Sequence, residues 1–152
     1  MYSKQVSPGN NYDVLLLHND DLLFRNYNYQ TQKYTLTRTD QLGNVLWQSA
    51  PTPNLSGLMV ALPNDGFGIS TGSSASFTVR LFNVQGNQVG ATTPIAVEGS
   101  VSSLASYPDG TFLAGGTAVT NRAFLLRFAP HCTVESTYKS PMRALSFKKR
   151  VA

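Results

Sequence analysis

The sequence predicts an all-β protein built from three four-stranded repeats of about 44 residues. Three observations predict it. One turn-and-strand pattern recurs, as "HNDDLLFRNY" (18–27), "PNDGFGISTG" (63–72) and "PDGTFLAGG" (108–116). Charged residues make up only 13% of the chain, against about a quarter in an average domain, with Gly, Pro, Ser, Thr and Asn in their place. No window of a dozen residues carries a clean helical stripe. With 152 residues, the chain is long enough for one domain with a sizeable core.

The first repeat spans about 12–54. Its acidic turn is followed by the polar, aromatic stretch "RNYNYQTQKY", the strand "YTLTR" and the turn "DQLGN". The second, about 55–98, is the clearest. Its strands read "LMVALP", "FGIST", "FTVRLF" and "QVGATTPI", separated by Asn-Asp-Gly and Gln-Gly-Asn breaks that suit hairpin turns. In it Phe77, Val79 and Leu81 alternate with Thr78, Arg80 and Phe82, so both faces are partly apolar. That is expected of a sheet held between two neighbours. The third, about 99–143, keeps the first turn and the strand "FLLRF", but "APHCT" has lost the glycine of the second turn.

Three anchors hold these copies in register: the turn acids Asp20, Asp65 and Asp109, the strand-opening aromatics Tyr34, Phe77 and Phe124, and the arginines Arg38, Arg80 and Arg127. The aromatics are expected at equivalent core sites. In 144–152, Leu145, Phe147, Lys149 and Val151 alternate with polar residues, which predicts a closing strand rather than the helix that Ser140-Pro141 could open.

Four strands in about 44 residues is the size of a β-propeller blade. The alternative is a β-trefoil, which also has three four-stranded units in a chain of this length and closes unaided. Spacing of about 21–23 residues between the two turns favours the blade. Three blades leave two open flanks, because propellers typically close with four to eight. The chain is then part of a longer protein, or two chains complete a six-bladed ring.

The stretches "LPNDGFGISTGSSASFTVRLFNVQGNQVG", "YPDGTFLAGGTAVTNRAFLLRF" and "TDQLGNVLW" resemble the repeats of bacterial surface and secreted propeller proteins over about residues 12–136. Those repeats run from a turn-DG through an apolar strand and an aromatic strand into D-x-x-G-N and an apolar pair or Trp. The resemblance implies a blade fold, no catalytic residues, and an extracellular or cell-surface location. The first copy departs from it most, at "NYNYQTQKY".

Chemistry is sparse in the sequence. His131-Cys132 lacks further ligands at zinc spacing, so no metal is expected. The recurring acids are accounted for by turn chemistry. No glycine loop cradles phosphate. The expectation is therefore a non-enzyme without cofactors: an interaction or structural module presenting loops to a protein partner or larger assembly, with a carbohydrate-binding, lectin-like module as the alternative. The candidate ligand surface is Arg25, Tyr27 and Tyr29, where an amphipathic aromatic pair sits beside a guanidinium. A basic tail at Lys148, Lys149 and Arg150 could meet anions. The remaining body is near neutral, which argues against nucleic acid. No run approaches the roughly 20 apolar residues of a membrane helix, and the opening stretch has no signal-peptide apolar core.

Overall fold

The structure, a computed structural model, describes residues 12–73, 75–97, 99–120 and 122–129. Among the described residues every regular element is a strand, and the strands form three antiparallel sheets. Sheet 1 runs in order through β1 (Tyr12–Leu16), β2 (Leu22–Asn28), β3 (Lys33–Thr39) and β4 (Val45–Gln48). Sheet 2 runs through β5 (Met59–Ala61), β6 (Phe67–Gly72), β7 (Ser76–Phe82) and β8 (Gln88–Ala91), with β9 (Ile95–Ala96) also on β7. Sheet 3 comprises β10 (Gly99–Ser106), β11 (Phe112–Ala118) and β12 (Ala123–Phe128). Among the described residues pairing stays within each sheet, and none closes into a barrel.

The turns explain the strand spacing. The amides of Leu17, Leu62 and Tyr107 donate to the carbonyls of Asp21, Gly66 and Thr111 at 2.9, 3.0 and 2.8 Å. Inside each turn, Asn19, Asn64 and Asp109 accept the amide two residues on, at 3.2, 3.4 and 3.0 Å. The next residue takes positive φ: Asp20 at 65°, Asp65 at 59° and Gly110 at 79°. Short Asx side chains and glycine tolerate that conformation. These three positions are 45 residues apart each time. The expected register therefore slips by one in the third turn: Asp109 corresponds to Asn19 and Asn64, and Gly110 to Asp20 and Asp65.

The outer strands share a second device. The Leu36 amide donates to Ser49 Oγ at 3.0 Å, and the Val79 amide donates to Thr92 Oγ1 at 2.9 Å. In each case a hydroxyl replaces a ladder carbonyl. A proline follows two residues later, at 51 and 94, and Thr52 and Ile95 then pair with Tyr34 and Phe77. "QVGATTPI" is thus two short strands, split at Thr92-Thr93-Pro94.

The sheets stack in sequence order. Between sheets 1 and 2 lies a core of Leu17, Leu23, Leu36, Leu55, Phe67, Ile69 and Phe82, with Trp47 packed against it. Phe67 and Phe82 stack with centroids 4.8 Å apart. Between sheets 2 and 3 lies a second core that includes Val60, Phe77, Val79, Leu81, Phe112, Ala114 and Phe128. Phe128 stacks on Phe112 at 5.3 Å and meets Phe77 edge-on at 5.6 Å. Such aromatic pairs contribute about 0.5–1.5 kcal/mol each beyond their burial. The first strands lie side by side, with β5 next to both β1 and β10.

Ladder register assigns each side chain to the face toward the following sheet or toward the preceding one. Tyr34 and Phe77 are both the second residue of a third strand, and both face forward. Phe124 does not share their site. It pairs with Gly116 on the side of Phe112 and Phe128, facing back toward sheet 2. The cause is hairpin length. Tyr27 pairs with Tyr34 and Gly72 with Phe77, seven and five residues on, but the equivalent Thr117 pairs with Ala123, six residues on. A one-residue change in a period-two element reverses the face. The expected closing strand at 144–152 lies outside the described residues.

Candidate functional site

One end of the stack carries the tight Asx turns. The other carries the β2–β3, β6–β7 and β11–β12 hairpins and the segments entering β5 and β10. The first end is committed to its own hydrogen bonds, so the second is where composition is free to vary.

At the hairpin end of sheet 1, Tyr27 and Tyr34 are cross-strand partners with ring centroids 4.7 Å apart. Tyr29 stands edge-on to Tyr27 at 5.0 Å and is 56% exposed. Asn28 Oδ1 accepts the Gln30 and Thr31 amides at 2.9 and 3.1 Å and shapes the hairpin. The three tyrosines form one continuous aromatic surface that is outermost at Tyr29.

Arg25 is placed differently from the sequence expectation of a ligand-facing guanidinium. It is 8% exposed. Its Nη1 donates to Leu55 O at 2.6 Å and to Gly57 O, and its Nε and Nη2 bind Asp13. The guanidinium carbon lies 5.8 Å from the Tyr34 centroid. Arg25 therefore ties sheet 1 to the segment entering sheet 2 and positions the tyrosines. A buried charge requires such complete pairing.

Beyond Gly57 lies a cleft of about 270 Å³ lined by Ser70, Thr71, Gly72, Ser73, Phe77, Ser100 and Val101. A side chain at Gly57 would collide with the Ser70 carbonyl, so glycine is what lets these segments meet. Ser70 Oγ accepts the Leu58 amide at 2.8 Å, and the Thr71 and Thr78 hydroxyls are 3.0 Å apart. The lining holds no charged side chain. In the sequence, "STGSSAS" (70–76) has neither an aromatic nor a charge to mark it. The cleft forms where small residues of sheet 2 meet Ser100 and Val101 of sheet 3, a tertiary feature without a local signal.

His18 is exposed, and among the described residues no three His, Cys, Asp or Glu side chains gather as metal ligands would. Among them too, no helix is long and apolar enough to cross a membrane. His131, Cys132 and the basic tail Lys148, Lys149 and Arg150 lie outside the described residues. Asp109 titrates below its ordinary 3.8, held down first by the Thr111 hydroxyl and amide and then by Arg127. Comparison with protein families, curated proteins and solved structures finds no match.

Proposed function

We propose that the protein is a non-catalytic interaction and structural module of three propeller-type blades, associating through the two outer faces of its stack. The observation that carries this reading is exposed apolar surface in register with buried core. Val14 and Leu16 on the rear of sheet 1 are 57% and 59% exposed. They stand 45 residues before Met59 and Ala61, which pack into the core between sheets 1 and 2. Leu125, 63% exposed on the forward face of sheet 3, holds the ladder position of the buried Val79 and Leu36. Faces built alike, some covered and some open, fit a stack that continues. Pairing confined to each sheet, together with adjacent first strands, supports blades rather than a trefoil, whose units share a barrel. The resemblance to bacterial surface propellers supports the same reading. Carbene footprinting checks it: Val14, Leu16 and Leu125 lose labelling in the native assembly relative to the dilute isolated chain. Equal labelling in both overturns it.

A second reading is favoured by the hairpin end, which carries both an uncharged, hydroxyl-rich cleft and a tyrosine surface. That chemistry suits a neutral glycan. Titration with neutral oligosaccharides then shifts the amide resonances of Tyr29 and Ser73, and Tyr27→Ala with Tyr29→Ala weakens binding roughly thirtyfold. Resonances that stay unmoved across the panel remove this reading.

A further inference from the structure

We infer that the forward face of sheet 3 docks the rear face of sheet 1 of a second copy of this chain, with Arg127 as the anchoring donor, so that two chains close a head-to-tail ring of six sheets. The inference rests on the blade reading above and names its partner.

Arg38 shows how one sheet holds the next. It pairs with Leu23 across the β2–β3 ladder, faces forward and is 2% exposed. Its Nε donates to Asp21 of its own sheet's turn at 2.8 Å. Its Nη1 reaches the next sheet, donating to Asp65 O at 3.2 Å and Val84 O at 2.9 Å. The same Val84 carbonyl accepts Trp47 Nε1–H at 2.8 Å. One guanidinium thus fastens a sheet's own turn to both turns of the sheet in front.

Arg127 occupies the corresponding place in sheet 3. It pairs with Leu113, which stands 90 residues after Leu23, and it too faces forward. It is likewise held by its own turn: Nη2 binds Asp109 at 2.7 Å and Nε donates to Thr111 Oγ1 at 3.2 Å. Its guanidinium carbon also lies 4.7 Å from the Tyr107 centroid. Its side chain is half exposed. The arginine is preorganised as Arg38 is, without a sheet in front among the described residues. Around it Ala105 and Leu125 are exposed and Leu113 is half-buried.

The matching surface is the rear of sheet 1. Val14 and Leu16 are exposed and Leu22 and Phe24 half-buried there, while Thr37 and Thr39 on the same side are already buried. The open apolar surface therefore lies on β1 and β2, and first strands are where the internal sheets come closest. In that copy the places of Asp65 O and Val84 O fall, by turn register, to Asp20 O and Gln41 O. The two ends of the chain differ and complement each other, so the contact is heterologous. Heterologous contacts close into rings where the rotation permits, and six sheets lie within the usual four to eight.

Native mass spectrometry and analytical ultracentrifugation of the 152-residue chain test this. A dimer is expected, and a monomer at tens of micromolar overturns it. That monomer would leave the blade reading standing if footprinting still finds both faces covered in the native assembly by another chain. Leu16→Asp and Leu125→Asp each damage both contacts of the ring, weakening dimerisation by at least about thirtyfold. Mixing the two variants pairs two damaged faces at one contact and two intact faces at the other, so the mixture dimerises better than either alone. A back-to-back dimer shows no such rescue, and that result also overturns the proposal. Arg127→Ala weakens the dimer in the same direction, and an unchanged dissociation constant removes the anchoring role.

Discussion

Arg38 and Arg127 hold the same ladder position in sheets 1 and 3, and each is tied to the turn at the base of its own sheet. One is sealed behind a second sheet and donates to two of its carbonyls, and the other faces solvent with half of its side chain. Position within a sheet does not decide whether an arginine is structural or available. What lies in front of the sheet decides it. A buried guanidinium has lost its water and depends on fixed oxygens, whereas an exposed one can exchange protein partners for solvent at little cost.

The largest expected effect follows directly. Arg38→Ala leaves the half-buried Asp21 without its cation and Asp65 O without its Arg38 donor, while Val84 O keeps only Trp47. Removing one partner of a buried pair costs about 3–5 kcal/mol. A large fall in the urea midpoint is expected, with the spectrum of strands retained at low denaturant. Arg127→Ala in a monomeric background, such as Leu125→Asp, should leave the midpoint unchanged. Comparable losses for both arginines would show that the sheet in front matters little.

A pair of glycines makes the same contrast without charge. Gly86 and Gly110 both have φ of 79° in tight turns. A Cβ on Gly86 would lie 2.8 Å from the Trp47 ring of the neighbouring sheet, and one on Gly110 would meet nothing within 4 Å. Gly110→Ala therefore carries only the left-handed backbone cost of about 1–2 kcal/mol. Gly86→Ala adds displacement of Trp47 and its hydrogen bond to Val84 O, with overpacking of about 1–3 kcal/mol more. Equal losses in thermal unfolding would mean that the Trp47 contact contributes nothing.

The legible and illegible parts of the sequence divide along the same line. Turns are local chemistry, so Asn-Asp-Gly, Pro-Asp-Gly and Asp-Gln-Leu-Gly-Asn could be read as turns with strands between them. Which face a residue takes depends on the parity of the intervening hairpin. The six-residue step from Thr117 to Ala123 therefore turned Phe124 away from the site shared by Tyr34 and Phe77. The odd step from Gly72 to Phe77 instead turns Arg80 back toward sheet 1, although it stands three residues after its aromatic just as Arg127 does; it donates to Gln88 of its own sheet and lies 5.4 Å from the Phe82 centroid. The hydroxyl devices at Ser49 and Thr92 have no local signature, so "QVGATTPI" reads as one strand although Thr92 and Pro94 split it in two. In the candidate site, the tyrosines could be read because aromatics clustered among polar residues are uncommon. Arg25 was misplaced because its partners, Asp13, Leu55 O and Gly57 O, come from segments 12 to 32 residues away.

The smallest expected effect is a titration at the open end of the stack. Asp109 accepts the Thr111 hydroxyl at 2.6 Å and the Thr111 amide at 3.0 Å, and Arg127 lies beside its other oxygen. All three favour the ionised form, the threonine most, and they hold the carboxyl below its ordinary 3.8. A depressed carboxylate pKa contributes stability that is fully present above the unfolded value and lost as pH falls through the folded one. At neutral pH Asp109 is therefore ionised and paired with Arg127, and that pair weakens only in acid below the ordinary carboxylate range. Carboxyl-detected NMR should place the Asp109 midpoint below 3.8, and Thr111→Ala should move it upward by removing the hydroxyl donor while Arg127 remains. Arg127→Ala should move it upward by less. Were the arginine variant to move it further than the threonine variant, the ion pair rather than the turn would hold Asp109 ionised. Arg127 would then be fixed mainly by charge, and salt would loosen it, as it loosens exposed pairs generally.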